Sequence, residues 1–455
     1  MTFIATRLKP IWQVSGCHYL KATFAVALAV RLINFMLLGG RDAYFSEPDS
    51  LGFWALGSGL AHARTFGASL MSMTFRMPFY PLLLGGVQRL FGDSPWVVVL
   101  LQTIIDAGTC VLIAALGALM SQRVGRFAGL LAAFSATLII LSTQILSDSV
   151  CLFFFAACLY AGARYVREPS APLALIAGLA GGLSLTVRPV PAILLLAAVP
   201  VFLIVALLHG RRLLASLIAT AVFAAGVALP IAPVMARNVM AYGSWHLMSQ
   251  TGAHLAFWVV PLVTERAYGT PFQQTADRMR ADCDSKAAAE GLNANSNPFR
   301  LDDLKIEAAR AAMARLPLKA YVAAWVDGMA VNLAVPAITV DPRMRELPKP
   351  SFYNTPGQTL VGKARNYLFR DPGLYQYLLV IGLVSMLPFL VLQAAGLVLL
   401  FRASFWAAMC ALGILAYFLV INGPVATPKY RLPMEPVLIV LTAIAAERLV
   451  RARAG

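Results

Sequence analysis

Acidic side chains are scarce in this chain: 21 Asp and Glu stand against 37 Lys and Arg in 455 residues. Charge of either sign makes up 13% of the sequence, where soluble domains carry about 25%. So little charge cannot solvate the surface of a chain that is 59% hydrophobic, which excludes a soluble globular enzyme. Cysteine is also sparse. Cys17, Cys110, Cys151, Cys158, Cys283 and Cys410 are scattered, with no spacing that suggests a disulfide framework or a metal knuckle. The few histidines, His62, His246 and His254 among them, lack metal-ligand spacing. No segment is of low complexity, and no inverted repeat is visible, which argues against a secondary transporter. The net charge of +16 invites a nucleic-acid reading. That reading fails, because the basic residues fall mostly in short loops between apolar runs, where they set membrane topology.

What the sequence has in abundance is apolar runs. A bilayer core needs about 20 apolar residues per helix. Runs near that length cover 20–39, 96–120, 126–145, 147–166, 172–187, 190–208, 213–233, 374–400, 404–421 and 432–449, which predicts an all-α polytopic membrane protein with about ten spans. The first run carries Arg31 and no small-residue cleavage site, so it reads as an uncleaved span. Arginine fills the loops SQRVGR (121–126), ARYVRE (163–168), HGRR (209–212) and FR (401–402), and the tail ERLVRARAG. With Arg7, Lys9 and Lys21 these put both termini in the cytoplasm of a multi-pass protein, in a bacterial inner membrane. Three units follow: an N-terminal transmembrane module over 1–233 with its first outer loop at 40–95, an outer loop region over 234–373, and a C-terminal transmembrane module over 374–455. FYPLLLGGVQRLF (79–91) is too short to span and predicts a helix lying on the outer face. Residues 318–338, interrupted by Asp327, predict an interfacial or re-entrant helix.

Polar groups at a membrane are costly and are kept for a reason. On this topology they gather on one side. Glu47 and Asp49 follow the first span, and Arg76 lies in FRMPFYP. Ser147 and Asp148 stand at the second outer turn and Arg188 at the third. Arg237 and Asn238 follow 213–233, and Lys429, Tyr430 and Arg431 precede the last span. A carboxylate beside cations suits transfer chemistry: the carboxylate takes a proton from a hydroxyl acceptor, and the cations hold a phosphate leaving group.

In order along the chain stand EPDSLGFWALGSGLA, FRMPFYPLLLGGVQRLFG, LLQTIIDAGTCVL, ILSDSVCLF, AGLAGGLSLTVRPVPAILLL, PVMARNVMAYGSW and TPKYRLPMEPVLIVL. Seven pieces in this order resemble the GT-C integral-membrane glycosyltransferases. The branch is that of the dolichyl-phosphate-mannose protein mannosyltransferases and the lipid A aminoarabinose transferase. The resemblance runs from about residue 25 to 449 and is weakest over 250–373. It implies a polyprenyl-phosphate sugar donor, a glycan, lipid or protein acceptor, an active site on the periplasmic face, and inverting displacement. Carried over by position, it implies Asp49 as general base and Asp148 as a supporting acid. It implies Arg188, Lys429, Tyr430 and Arg431 on the donor phosphate, with Glu47, Arg76, Arg237 and Asn238 as candidates for substrate contact. The sequence departs from the family pattern where Arg76 replaces a glutamate and where Pro48 and Ser50 flank Asp49, which leaves the second acid open.

Plainer readings stand beside these. Asp49 is a natural N-cap for the helix that begins at SLGFW. Glu47 reads as a solvated loop acid, and Arg237 and Asn238 equally as loop structure. Arg188 and Arg431 also suit anchors to lipid headgroups, and Arg31 and Asp106 suit structural pairing. No cofactor is required, and a divalent cation at Glu47 and Asp49 rests on only two acids. A lipid-linked glycan polymerase or ligase, or a lipid-glycan flippase, are the rival functions. The partners are membrane lipids, a lipid-linked donor and its acceptor, with no nucleic acid.

Overall fold

The computed structural model describes residues 17–63, 66–352 and 354–454. Arg7, Lys9 and the side chain of Cys17 lie outside the described residues. Among the described residues every regular element is helical. Helix α1 (Cys17–Leu37) leads into a face built from α2 (Pro48–His62), a short helix Phe66–Ser72, and α3 (Phe79–Phe91). Pro48 begins α2 at a position where its missing N–H costs nothing. α3 buries Tyr80, Leu84 and Val87 and leaves Leu90 and Phe91 exposed, as a surface helix should. α2 and α3 touch closely at Gly57, where a Cβ would come 2.6 Å from that of Leu84.

The chain then runs through α4 (Pro95–Ala118), α5 (Gln122–Ala133), α6 (Ala136–Ser142), α7 (Asp148–Arg167), α8 (Ala171–Val187), α9 (Ala192–Leu208) and α10 (Leu213–Tyr242). Small residues let α8 and α10 approach: a Cβ on Gly182 would lie 2.5 Å from the Val227 carbonyl oxygen. Between 243 and 373 lie the helices Val260–Tyr268, Phe272–Ala289 and Pro298–Met313, then α11 (Leu318–Ala334) and α12 (Pro342–Arg345). The chain closes with α13 (Leu374–Ala403), α14 (Phe405–Asn422), α15 (Pro428–Arg431) and α16 (Glu435–Ala454).

Among the described residues six helices are long and apolar enough to cross a membrane: His18–Leu37 within α1, then α4, α7, α10, α13 and α14. Tyr377, Ile381, Val384 and Val391 of α13 point outward at helical spacing, the reverse of a soluble protein, and this is an integral multi-pass membrane protein. The ten expected spans are not all recovered. Residues 126–145 form not one helix but the pair α5 and α6, bent by 48°, which makes a seventh span if the pair crosses as a unit. α8 and α9 are apolar and 17 residues long, about 25 Å at 1.5 Å per residue, at the lower limit for a crossing helix. α16 carries Glu435, Glu447, Arg448 and Arg451 and is too charged to qualify.

The bend has a cause. Arg31, fully buried in α1, pairs with Asp106 of α4 at 2.5 Å and donates to the Ala132 and Ala133 carbonyls at the end of α5. One guanidinium thus serves the Ala133 carbonyl and adds to the Ser135 N–H already on Ala132, where the break ends the α5 ladder. Removing it strands a buried carboxylate. Arg31→Leu is expected to cost about 3–5 kcal/mol. Thermal unfolding in detergent checks this, and an unchanged Tm would show the pair to be dispensable.

Candidate active site

Four helix ends and two loops meet on the face that carries α2 and α3. The Ile145 N–H donates to the Tyr44 carbonyl at 3.0 Å, tying the turn before α7 to the segment before α2. Gln144 Nε2 donates to the Val340 carbonyl at 2.7 Å, bringing the segment before α12 to the same place. The Ser249 N–H donates to the Thr74 carbonyl at 3.0 Å. On the opposite side, the Arg167 side chain donates to the Leu119 carbonyl, joining two of the arginine-bearing turns.

Asp49 is the second residue of α2, not its cap. Pro48 takes the first helical position and leaves the cap to Glu47, whose side chain makes no capping bond. Asp49 accepts from Arg76 at 2.7 Å and lies 3.5 Å from Lys429 Nζ. The reading of Glu47 as a solvated loop acid is corrected as well. Glu47 is 2% exposed and is gripped by Arg345 on one oxygen and by Lys429, at 2.9 Å, on the other. Asp148, the first residue of α7, is buried and pairs with Arg188, which lies just past the end of α8. The second Asp148 oxygen is buried without a partner.

The Asp148–Arg188 pair lines one cavity with Lys429 and acts electrostatically on Lys429 and Asp49, so the two groups of contacts make one charged cluster. Its acids are Glu47, Asp49 and Asp148, and its cations are Arg76, Arg188, Arg345 and Lys429. Four cations against three carboxylates leave one positive charge unmatched, which suits an added anion. Burial pushes the Asp49 carboxyl up, but Arg76 and then Lys429 outweigh it and hold that group below its ordinary range. Burial pushes the Lys429 ammonium down, and Glu47, Asp148 and Asp49 more than reverse that, so it stays charged. Burial raises the Tyr430 phenol against the pull of Arg188 and Lys429, so its O–H remains a donor.

A narrow cavity of about 30 Å³ opens at this cluster. Asp148, Arg188, Lys429 and Tyr430 line its polar part, and Cys151, Leu152, Phe155, Val190 and Phe418 its apolar wall. A larger cavity of about 330 Å³ lies between α2 and helix Phe66–Ser72. No ionisable side chain lines it, so it offers nothing to a phosphate.

Other expected residues are engaged elsewhere. Arg431 is 4% exposed, pairs with Glu435 at 2.9 Å and donates to the Leu333 carbonyl, and it does not line the cavity. Arg237 donates to the Leu70 and Met73 carbonyls at 3.0 and 2.7 Å. Asn238 donates to the His246 carbonyl at 2.6 Å. That buried pair fastens loops together, the plainer of its two readings. Arg345 was not singled out in the sequence. Its signal is DPRMR (341–345), an Asp cap and a Pro at the first position announcing a short helix. Among the described residues no group of three or more His, Cys, Asp or Glu is arranged to hold a metal. A divalent cation does not fit Glu47 and Asp49, because each already faces two cationic side chains.

Residues 76–236 match the sequence model of the dolichyl-phosphate-mannose-protein mannosyltransferase family. Over that segment the match bears out the resemblance read from the sequence, and it spans Arg76, Asp148 and Arg188. No curated protein matches the chain. Crystal structures of ArnT from Cupriavidus metallidurans, bound to undecaprenyl phosphate and in the apo state, align over 95% of this chain and 78% of theirs. Identity is 14% in both, with TM-scores of 0.37 and 0.38. Scores that low carry no inference about function or site.

The electrostatics yield a direct check. Arg76 is the strongest of the cations holding the Asp49 carboxyl down. Asp49 is therefore expected to stay ionised further into acid than a free aspartate, and Arg76→Gln to move its titration up. A carboxyl-carbon NMR titration of labelled protein reads this. An Asp49 midpoint at the free value, unmoved by the substitution, would rule out the pairing.

Proposed function

We propose that this protein is an inverting membrane glycosyltransferase that moves a sugar from a polyprenyl monophosphate to an acceptor hydroxyl on the non-cytoplasmic face. The observation that carries the reading is a cavity lined on its polar side by Arg188, Lys429 and Tyr430, with Asp148 paired to Arg188, and on its apolar side by Leu152, Phe155 and Phe418. The chemistry of that lining, though not its volume of about 30 Å³ in this structure, suits an amphiphile with an anionic head and a hydrocarbon tail. Lys429 belongs to this mouth and also lies 3.5 Å from Asp49, so leaving group and base share one neighbour. The single unmatched positive charge equals the one negative charge of a sugar phosphodiester, which favours a monophosphate over a diphosphate donor.

The chemistry follows from these positions. An acceptor hydroxyl gives its proton to Asp49 as its oxygen bonds to the anomeric carbon. The bond from that carbon to the phosphate oxygen breaks, and polyprenyl phosphate leaves with a second negative charge. Arg188, Lys429 and the Tyr430 O–H stabilise that charge as it grows, which is where fixed cations lower a barrier most. Asp148 holds Arg188 in place. Arg431 is left out of the phosphate contacts because its guanidinium is already bound to Glu435 and Leu333. Arg76 keeps Asp49 ionised and weakens it as a base, so the acceptor hydroxyl must displace part of that contact.

The test is incubation of reconstituted protein with a panel of polyprenyl-phosphate sugars, followed by mass spectrometry of cell-envelope acceptors. Transfer is expected from at least one donor. Asp49→Asn, folded and still able to bind donor, should lower it by about 10²- to 10⁴-fold. Full activity in Asp49→Asn would remove the base assignment. Consumption of diphosphate-linked donors only, or lipid translocation without transfer, would favour the polymerase or flippase readings.

A further inference from the structure

The 243–373 segment sends one charged side chain into the cluster, and its geometry gives that residue a task. α12 is held on three sides. Asp341 caps it, accepting from the Arg343 N–H at 2.9 Å, and Arg343 reaches Asn34 of α1 at 3.1 Å. Gln144 holds the Val340 carbonyl at 2.7 Å. From this fixed turn Arg345 donates to the Ser46 carbonyl at 2.9 Å and to one oxygen of Glu47. The other Glu47 oxygen accepts from Lys429 at 2.9 Å, and Lys429 in turn lies 3.5 Å from Asp49.

Lys429 is thus shared between two acids of unequal reach. Glu47 is the more buried and the nearer, and unopposed it would claim the ammonium for itself. Arg345 supplies Glu47 with a second cation and weakens that claim. We propose that Arg345 is a positioning residue: by neutralising Glu47 it leaves the Lys429 ammonium poised toward Asp49 and the cavity mouth. The inference rests on the donor reading above for its effect on turnover, but its electrostatic part stands apart from it.

The groups that face Asp49 are Arg76 from the segment before α3, Arg188 after α8, Lys429 and Tyr430 of α15, Glu47 beside it and Asp148 of α7. Only Lys429 is coupled to Arg345 through a shared partner. In Arg345→Gln, Glu47 draws Lys429 in, so the Asp49 titration should move up and the donor KM should rise about tenfold, with kcat changed less. Adding Glu47→Gln frees Lys429 again. In the double variant the Asp49 titration should return to the wild-type midpoint or fall below it, and the donor KM should recover to within about threefold. Arg345→Lys should preserve both values.

A residue that merely braces the loop would behave otherwise. Its loss would shift both readouts the same way with or without Glu47, and the two substitutions would add. That outcome overturns the proposal, as would an Asp49 titration indifferent to Arg345. The NMR titration needs no substrate, so it decides the role of Arg345 even if no polyprenyl-phosphate sugar is turned over. Failure of turnover with the expected titration shifts would count against the donor reading alone.

Discussion

Three carboxylates set among apolar helices must be matched by cations, and this requirement organises one whole face of the protein. Glu47 and Asp148 are almost wholly buried, and a buried carboxylate without a partner costs more than any single helix contact returns. The cations that satisfy them come from elements far apart in sequence: Arg76 before α3, Arg188 after α8, Arg345 on α12 and Lys429 on α15. Each pairing therefore fixes two distant segments against each other. The turn before α7, the start of α2 and the approach to α12 are drawn together by the same need, with backbone bonds at Tyr44 and Val340 completing the frame.

Within this frame the balance of charge matters more than any one pair. A cluster matched to exact neutrality would be a structural knot with no use for an anion. Here one cation is in excess, and the side chain most exposed to competition is Lys429, which touches Glu47, stands near Asp49 and lines the cavity. On the proposed reading, an arriving phosphate and the two acids are rivals for that ammonium, and the site's ion pairs are the contacts that a substrate would exchange. A second buried pair, Arg31 with Asp106, shows the contrasting case. It lies among helices, away from the cavity, and its guanidinium also serves backbone carbonyls at the α5–α6 break, so it holds shape only.

Much of this was legible in the sequence because polar residues in an oily chain stand out. Asp49, Asp148, Arg188 and Lys429 could be placed on one face from loop charges alone, and the structure brings them together. What could not be read were the partners. Glu47 looked solvated because sequence gives no sign that Arg345, 298 residues away, is its partner. The family resemblance put Arg431 on the donor phosphate beside Tyr430, yet helical geometry turns it onto Glu435 four residues on. Arg237 and Asn238 suited substrate contact and loop structure equally because their partners include backbone carbonyls, which no side-chain pattern reveals. The expected helix over 126–145 broke for a related reason. Apolar composition over 126–145 says nothing of a break that a buried arginine on another helix makes tolerable.

The central claim is that the excess cation of this cluster receives the phosphate of a lipid-linked donor. Cryo-electron microscopy of the protein in nanodiscs containing a polyprenyl monophosphate tests it most directly. The account predicts phosphate density within hydrogen-bonding distance of Arg188, Lys429 and Tyr430, with the tail running past Leu152 and Phe155. Phosphate density at another site, with the cluster's ion pairs intact, would contradict it.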